Sequence, residues 1–145
     1  MKNIYFLILV VGVFCGMLLS AKAEDMSIDM LNKKGKEKMV YSEEIARISA
    51  GDTITWLPAS KGHNVQFVLV PDGAEKVKSK IGEEFSYTFE QEGVYLYVCT
   101  PHATMGMIGV VMVGNTPTDI NLAEALKYKF RGKSKKKWKK LAKSL

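Results

Sequence analysis

From Glu24 to Val113 the chain reads as short apolar–polar alternations separated by turn formers, a pattern that β-strands satisfy and helices do not. Ile54 and Trp56 alternate with Thr53 and Thr55, and Phe85, Tyr87 and Phe89 with Ser86 and Thr88, so each strand offers one apolar face to a core. Gly51-Asp52, Pro71-Asp72-Gly73 and Glu92-Gly93 mark turns. Val94 to Cys99 and Met107 to Val113 are apolar enough for central strands, with Thr100 to Gly106 as the loop between them. This spacing predicts an all-β sandwich or barrel.

Past Gly114-Asn115 the pattern turns helical. Thr118 is placed to cap a helix whose Leu122, Ala125 and Leu126 share a face, and Gly132 to end it. A second short helix is predicted from Ser134, with Trp138, Leu141 and Leu145 docking on the sandwich while six lysines between Lys135 and Lys143 face water. Charge is uneven: residues 24–126 hold 9 basic and 15 acidic side chains, whereas residues 127–145 hold 10 basic and none acidic. Three readings of the tail follow, a solvated helix face, a membrane-surface helix and a polyanion binder. The first is the default, because Trp138 and Leu141 are already needed for docking.

At the other end, Ile4 to Leu19 is an unbroken apolar run of 16 behind Lys2, followed by the small-x-small pattern Ala21-Lys22-Ala23. Residues 1–23 read as a cleaved signal peptide, and residues 24–145 as a single exported domain with 116–145 as its helical extension. An uncleaved anchor is the competing reading, but the run falls short of the roughly 20 residues of a spanning helix. Cleavage leaves 122 residues, a formal charge of +4 and one cysteine, Cys99. A lone cysteine forms no internal disulfide, so its place in an oxidising compartment needs another explanation. Export also argues against a nucleic-acid partner.

Cys99-Thr100-Pro101-His102-Ala103-Thr104-Met105-Gly106-Met107 supplies one. It places a thiol, an imidazole and thioethers within nine residues at a strand-loop-strand corner. The other histidine of the chain is His63, in Lys61-Gly62-His63-Asn64-Val65. Two imidazoles, one thiolate and a weak axial thioether are the donor set of a blue-copper site. Spacing alone does not separate Met105 from Met107 as the fourth donor. Taken singly, a buried cysteine, a gap-filling methionine or a turn histidine has a plainer explanation in packing. Together they leave the lone cysteine and one of two histidines in a single turn. Zinc is the rival metal, but a thioether is a poor fourth ligand for it. A second catalytic copper would need further imidazoles, so a carrier rather than an enzyme is expected.

On these residues the chain resembles the cupredoxins, the small type 1 copper proteins. The matching segments are Met30-Leu31-Asn32, Gly51-Asp52-Thr53, Lys61 to Val65, Gly73-Ala74-Glu75-Lys76, Cys99 to Gly109 and a two-helix tail. The resemblance implies an eight-stranded Greek-key β-sandwich followed by two short C-terminal α-helices. It implies one copper ion held by His63, Cys99, His102 and Met107, with Met105 a loop residue. Asn64 is then expected to tie the two ligand segments together through Thr100 and through its N–H to the Cys99 sulfur. Pro101, having no N–H, denies that sulfur a further donor. His102 becomes the electron port, with Pro58, Pro101, Ala103, Met105 and Gly106 as an apolar collar and Lys61, Lys76, Lys78 and Lys80 as a basic rim that steers an acidic partner. The function implied is a monomeric periplasmic one-electron carrier to a redox enzyme such as nitrite or nitrous oxide reductase, without membrane contact. A periplasmic copper-delivery protein is the alternative.

Overall fold

A computed structural model describes residues 23–114 and 120–145. Eight strands form two sheets: β1 (Asp25–Lys34), β2 (Glu37–Tyr41), β3 (Ile45–Ile48), β4 (Thr53–Leu57), β5 (Gln66–Leu69), β6 (Phe85–Thr88), β7 (Gly93–Val98) and β8 (Ile108–Val113). One sheet runs β2-β1-β4-β6 and the other β3-β8-β7-β5. The β1–β4 and β3–β8 pairs are parallel, and the remaining pairs antiparallel. A single turn of 3-10 helix covers Thr100–His102 between β7 and β8. The tail forms α1 (Leu122–Lys127) and α2 (Gly132–Leu141). No described helix is long and apolar enough to cross a membrane. The signal peptide expected at residues 1–23 and the cap expected at Thr118 lie outside the described residues, apart from Ala23 itself.

The apolar runs at β7 and β8 have a specific cause. Tyr95, Tyr97, Val111 and Val113 point between the sheets, into a core with Ile28, Tyr41, Trp56 and Phe67. The alternate residues Val94, Leu96, Val98, Ile108, Val110 and Met112 point outward, where Ala125, Phe130, Trp138 and Leu141 of the tail cover them. Both faces of these two central strands are therefore dry, and period-two alternation of polarity disappears. Side-chain parity carries through the strand ends, so Cys99 and Met107 join the inner core.

Four local expectations for the tail are corrected. Gly132 does not end the first helix, which stops at Lys127; it opens the second, at φ +58°. The second helix accordingly starts at Gly132 rather than Ser134. Leu126 is exposed rather than sharing the buried face, because successive residues of an α-helix stand about 100° apart and Ala125 takes the buried side. Lys137 does not face water: it pairs with Glu37 and Glu44 and is largely covered.

Tyr97 fills the space left by the absent side chain of Gly109 on the neighbouring strand. A Cβ there would lie 2.2 Å from the ring carbon Cζ of Tyr97. That ring is fully buried and packs edge-on against Tyr41 and Trp56, so it has nowhere to move. Gly109→Ala is expected to cost about 1–3 kcal/mol of stability by overpacking, read as a lower urea midpoint with an unchanged slope.

Candidate metal centre

His63 and Cys99 reach the same point from different parts of the chain. Cys99 leaves the end of β7 with its side chain already turned inward, and His63 ends the loop that leads from β4 into β5. His102 closes the 3-10 turn that begins one residue after Cys99. Its N–H donates to the Cys99 carbonyl at 3.0 Å, while the Cys99 N–H donates to the Met107 carbonyl at 3.0 Å. The loop thus folds back over its own ends, and His102 stands above Cys99.

The three side chains converge. His63 Nδ1 and His102 Nδ1 are 3.2 Å apart, and the Cys99 Sγ lies 3.7 Å from the first and 3.4 Å from the second. All three donor atoms fall within 4.8 Å of one another. With bonds of about 2.0 Å to imidazole nitrogen and about 2.3 Å to thiolate sulfur, these separations open angles of roughly 105–120° at a common centre. The donor set therefore fits a small transition-metal ion without rearrangement. Met107 is fully buried in the same core as Cys99, whereas Met105 is 44% exposed. Burial, not parity, distinguishes the two methionines that spacing left equivalent.

Neighbouring polar groups fix the donors. His63 Nε2–H donates to Asn32 Oδ1 at 2.7 Å, which leaves the Nδ1 lone pair aimed at the centre. Asn64 is wholly buried, and its Oδ1 accepts from the Thr100 N–H at 2.8 Å and the Thr100 hydroxyl at 3.0 Å. Its Nδ2 donates to the Ser79 carbonyl at 3.1 Å, and its own carbonyl accepts the Tyr41 hydroxyl at 2.7 Å. Asn64 thus joins the segment that carries His63 to the loop that carries Cys99 and His102. Pro101 sits exposed in the first turn of the 3-10 helix, where a missing N–H breaks no backbone bond.

Burial dominates the electrostatics. It pushes the Cys99 thiol above its ordinary pKa, and the backbone N–H groups of Asn64 and His102 partly offset the rise. Metal capture near neutral pH must then release a proton. Burial also lowers the His63 pKa, with the facing His102 adding to the effect.

The tail is part of this site, which sequence reasoning missed. Ser134, in the first turn of α2, is fully buried; its hydroxyl donates to the Ala103 carbonyl at 2.6 Å and accepts the Gly106 N–H at 3.0 Å. The Lys133 N–H donates to the Thr104 carbonyl at 2.8 Å. Gly132 lies so close that a Cβ would stand 2.4 Å from the Thr104 carbonyl oxygen. Gly106, expected in the exposed collar, is instead covered beneath this clasp. Pro58 and Pro101 are exposed and Ala103 half-buried. Lys61, Lys76, Lys78 and Lys80 are all exposed, and Lys80 pairs with Glu83 at 3.7 Å.

Two four-stranded sheets with an inward His-Cys-His donor set at one end form a β-sandwich able to hold a transition-metal ion. Residues 28–114 match the family of copper binding proteins of plastocyanin/azurin type. The chain belongs to that family, whose members carry electrons and are not enzymes. It is 38% identical over 112 residues to the pseudoazurin of Methylorubrum extorquens, covering 76% of each chain. It is 39% identical over 102 residues to the pseudoazurin of Paracoccus pantotrophus, covering 69% of this chain and 70% of that protein. The crystal structure of pseudoazurin from Methylobacterium extorquens superposes with a TM-score of 0.78 at 35% identity, over 83% of this chain and 98% of that one. The native pseudoazurin of Hyphomicrobium denitrificans gives 0.78 at 32% identity, over 84% and 98%. Within the family the chain therefore resembles the pseudoazurins, and it is a blue copper electron carrier.

The lowered pKa of His63 has a measurable consequence for the metal-free protein. Above the unfolded pKa of about 6.5 the group is neutral in both states and contributes nothing; below it the unfolded chain takes up the proton first and the fold loses stability. The urea midpoint of metal-free protein is expected to be lower at pH 5 than at pH 7, and the difference to shrink in His63→Asn.

Proposed function

We propose that His63, Cys99, His102 and Met107 hold one type 1 copper ion and that the chain shuttles single electrons to a periplasmic redox enzyme, of which nitrite and nitrous oxide reductases are the leading candidates by resemblance. Residues 1–23 act as the export signal and residues 24–145 as the mature domain. Bound copper supplies the one-electron couple between Cu(II) and Cu(I). The observation that carries the reading is the convergence of Nδ1, Nδ1 and Sγ within 4.8 Å, beside a buried thioether.

The residues around the site do the rest. Asn32 keeps His63 in the tautomer that offers Nδ1 inward, and Asn64 holds the two donor segments at fixed separation. Fixed donors leave little to rearrange when the charge at the centre changes, which lowers the barrier to electron exchange. His102 is half-exposed while His63 and Cys99 are buried, so its imidazole edge offers the shortest path to a partner. The burial of His63 and Cys99 also counts against copper delivery, which needs ligands that an acceptor can reach.

The test is the visible spectrum of the mature protein with Cu(II), before and after a mild reductant. An intense blue or green band that bleaches and returns is expected, and it should vanish in Cys99→Ser. Met107→Leu is expected to shift the band and Met105→Leu to leave it unchanged. A folded, colourless wild-type protein with a free thiol would overturn the assignment, and a shift in Met105→Leu alone would reassign the fourth ligand.

A further inference from the structure

The loop that carries His102 has a basic groove on one flank that plays no part in holding a metal. The β1–β2 turn, Met105 with Gly106, and one side of α2 border an open groove of about 850 Å³. Lys36 and Lys38 line one wall and Lys133, Lys136, Lys137 and Lys140 the other; Glu37 and Glu44 are the carboxylates between them. Lys137 pairs with both glutamates, and six lysines against two carboxylates leave the groove a formal charge of +4. The other five lysines are exposed and form no ion pair among the described residues.

Lys133, Lys136 and Lys140 recur three and four residues apart, which puts them on one stripe of α2. Five unpaired ammonium groups around one concavity repel each other, a cost to the folded state that an anionic occupant relieves. The rim of Lys61, Lys76, Lys78 and Lys80 is less one-sided, because Glu75, Glu83 and Glu84 are exposed along the same stretch of chain and Lys80 is already paired. The groove also ends on Met105, whose side chain is exposed and whose backbone N–H donates to the His102 carbonyl at 2.9 Å. An occupant that reaches Met105 touches the electron port's own turn. A lipid surface fits less well: the apolar side of α2, Trp138 and Leu141, is buried against the sheet and is not available for insertion.

We propose that this groove receives an acidic surface segment of the redox protein that exchanges electrons with this chain, seating that partner over Met105 and His102. The proposal rests on the electron-carrier reading. It assigns the unpaired lysines of α2 a role in docking and makes the rim secondary.

The test uses the reduced, copper-loaded protein at low salt, titrated with a ten-residue glutamate peptide and followed by amide NMR. Shifts are expected at Lys36, Lys38, Met105, Lys133, Lys136 and Lys140. The triple variant Lys133→Glu/Lys136→Glu/Lys140→Glu should weaken binding at least about tenfold, and Lys61→Glu/Lys76→Glu/Lys78→Glu less than about threefold. Shifts confined to the rim, equal losses in both variants, or undiminished binding in the first would overturn the proposal. So would binding to phosphatidylglycerol vesicles with no binding of the peptide. A sample that shows no blue band on oxidation refutes the copper reading instead, and this is seen before the titration begins.

Discussion

The buried side chain of Asn64 is the constraint on which the centre depends. The donor groups come from two segments, the β4–β5 loop and the β7–β8 loop, which run on beyond the last paired residues of β5 and β7, Gln66 and Val98. Asn64 joins them by accepting two hydrogen bonds from Thr100, while its Nδ2 and carbonyl bind Ser79 and Tyr41. With all these groups satisfied away from water, displacement of either segment leaves buried polar atoms unpaired, at about 1–3 kcal/mol each. The distances among His63, Cys99 and His102 are therefore set by the protein before any metal enters.

A second support comes from the tail. The two helices cover the outer face of β7 and β8, so the strands that bracket the loop with Cys99 and His102 are dry on both sides. Ser134 then extends that packing into the loop itself by bridging Ala103 and Gly106. The Lys137 pairs with Glu37 and Glu44 tie the same helix to the β2 side of the molecule, and the burial of Glu44 raises its pKa despite Lys137. A helical extension that looks like an appendage in the chain thus acts as the back wall of the site.

Much of this was readable from residue order because strand parity is rigid. The alternation at Ile54 and Trp56, the apolar runs of β7 and β8, and the Cys99–His102 spacing all follow from a period of two and a tight turn. The choice between Met105 and Met107 was not readable from spacing, because it depends on where the loop rejoins the strand; burial separates them, and their ligand roles stay a proposal. The contacts of Asn32, Ser134 and Lys137 escaped notice for a different reason. Each acts on a partner 28 to 100 residues away, and no local pattern encodes such contacts. The turn at Gly132 misled because a glycine marks either a helix end or a place where backbones meet; here its neighbour is the Thr104 carbonyl.

The central claim is that the protein imposes one donor geometry on both oxidation states. X-ray absorption at the copper edge, recorded on the oxidised and reduced protein at neutral pH, tests it directly. A preformed site gives two nitrogen donors and one sulfur donor in both states, with bond lengths that differ by no more than about 0.1 Å, well inside the positional tolerance of a functional site. Loss of a nitrogen donor on reduction, or a change in coordination number, would contradict it.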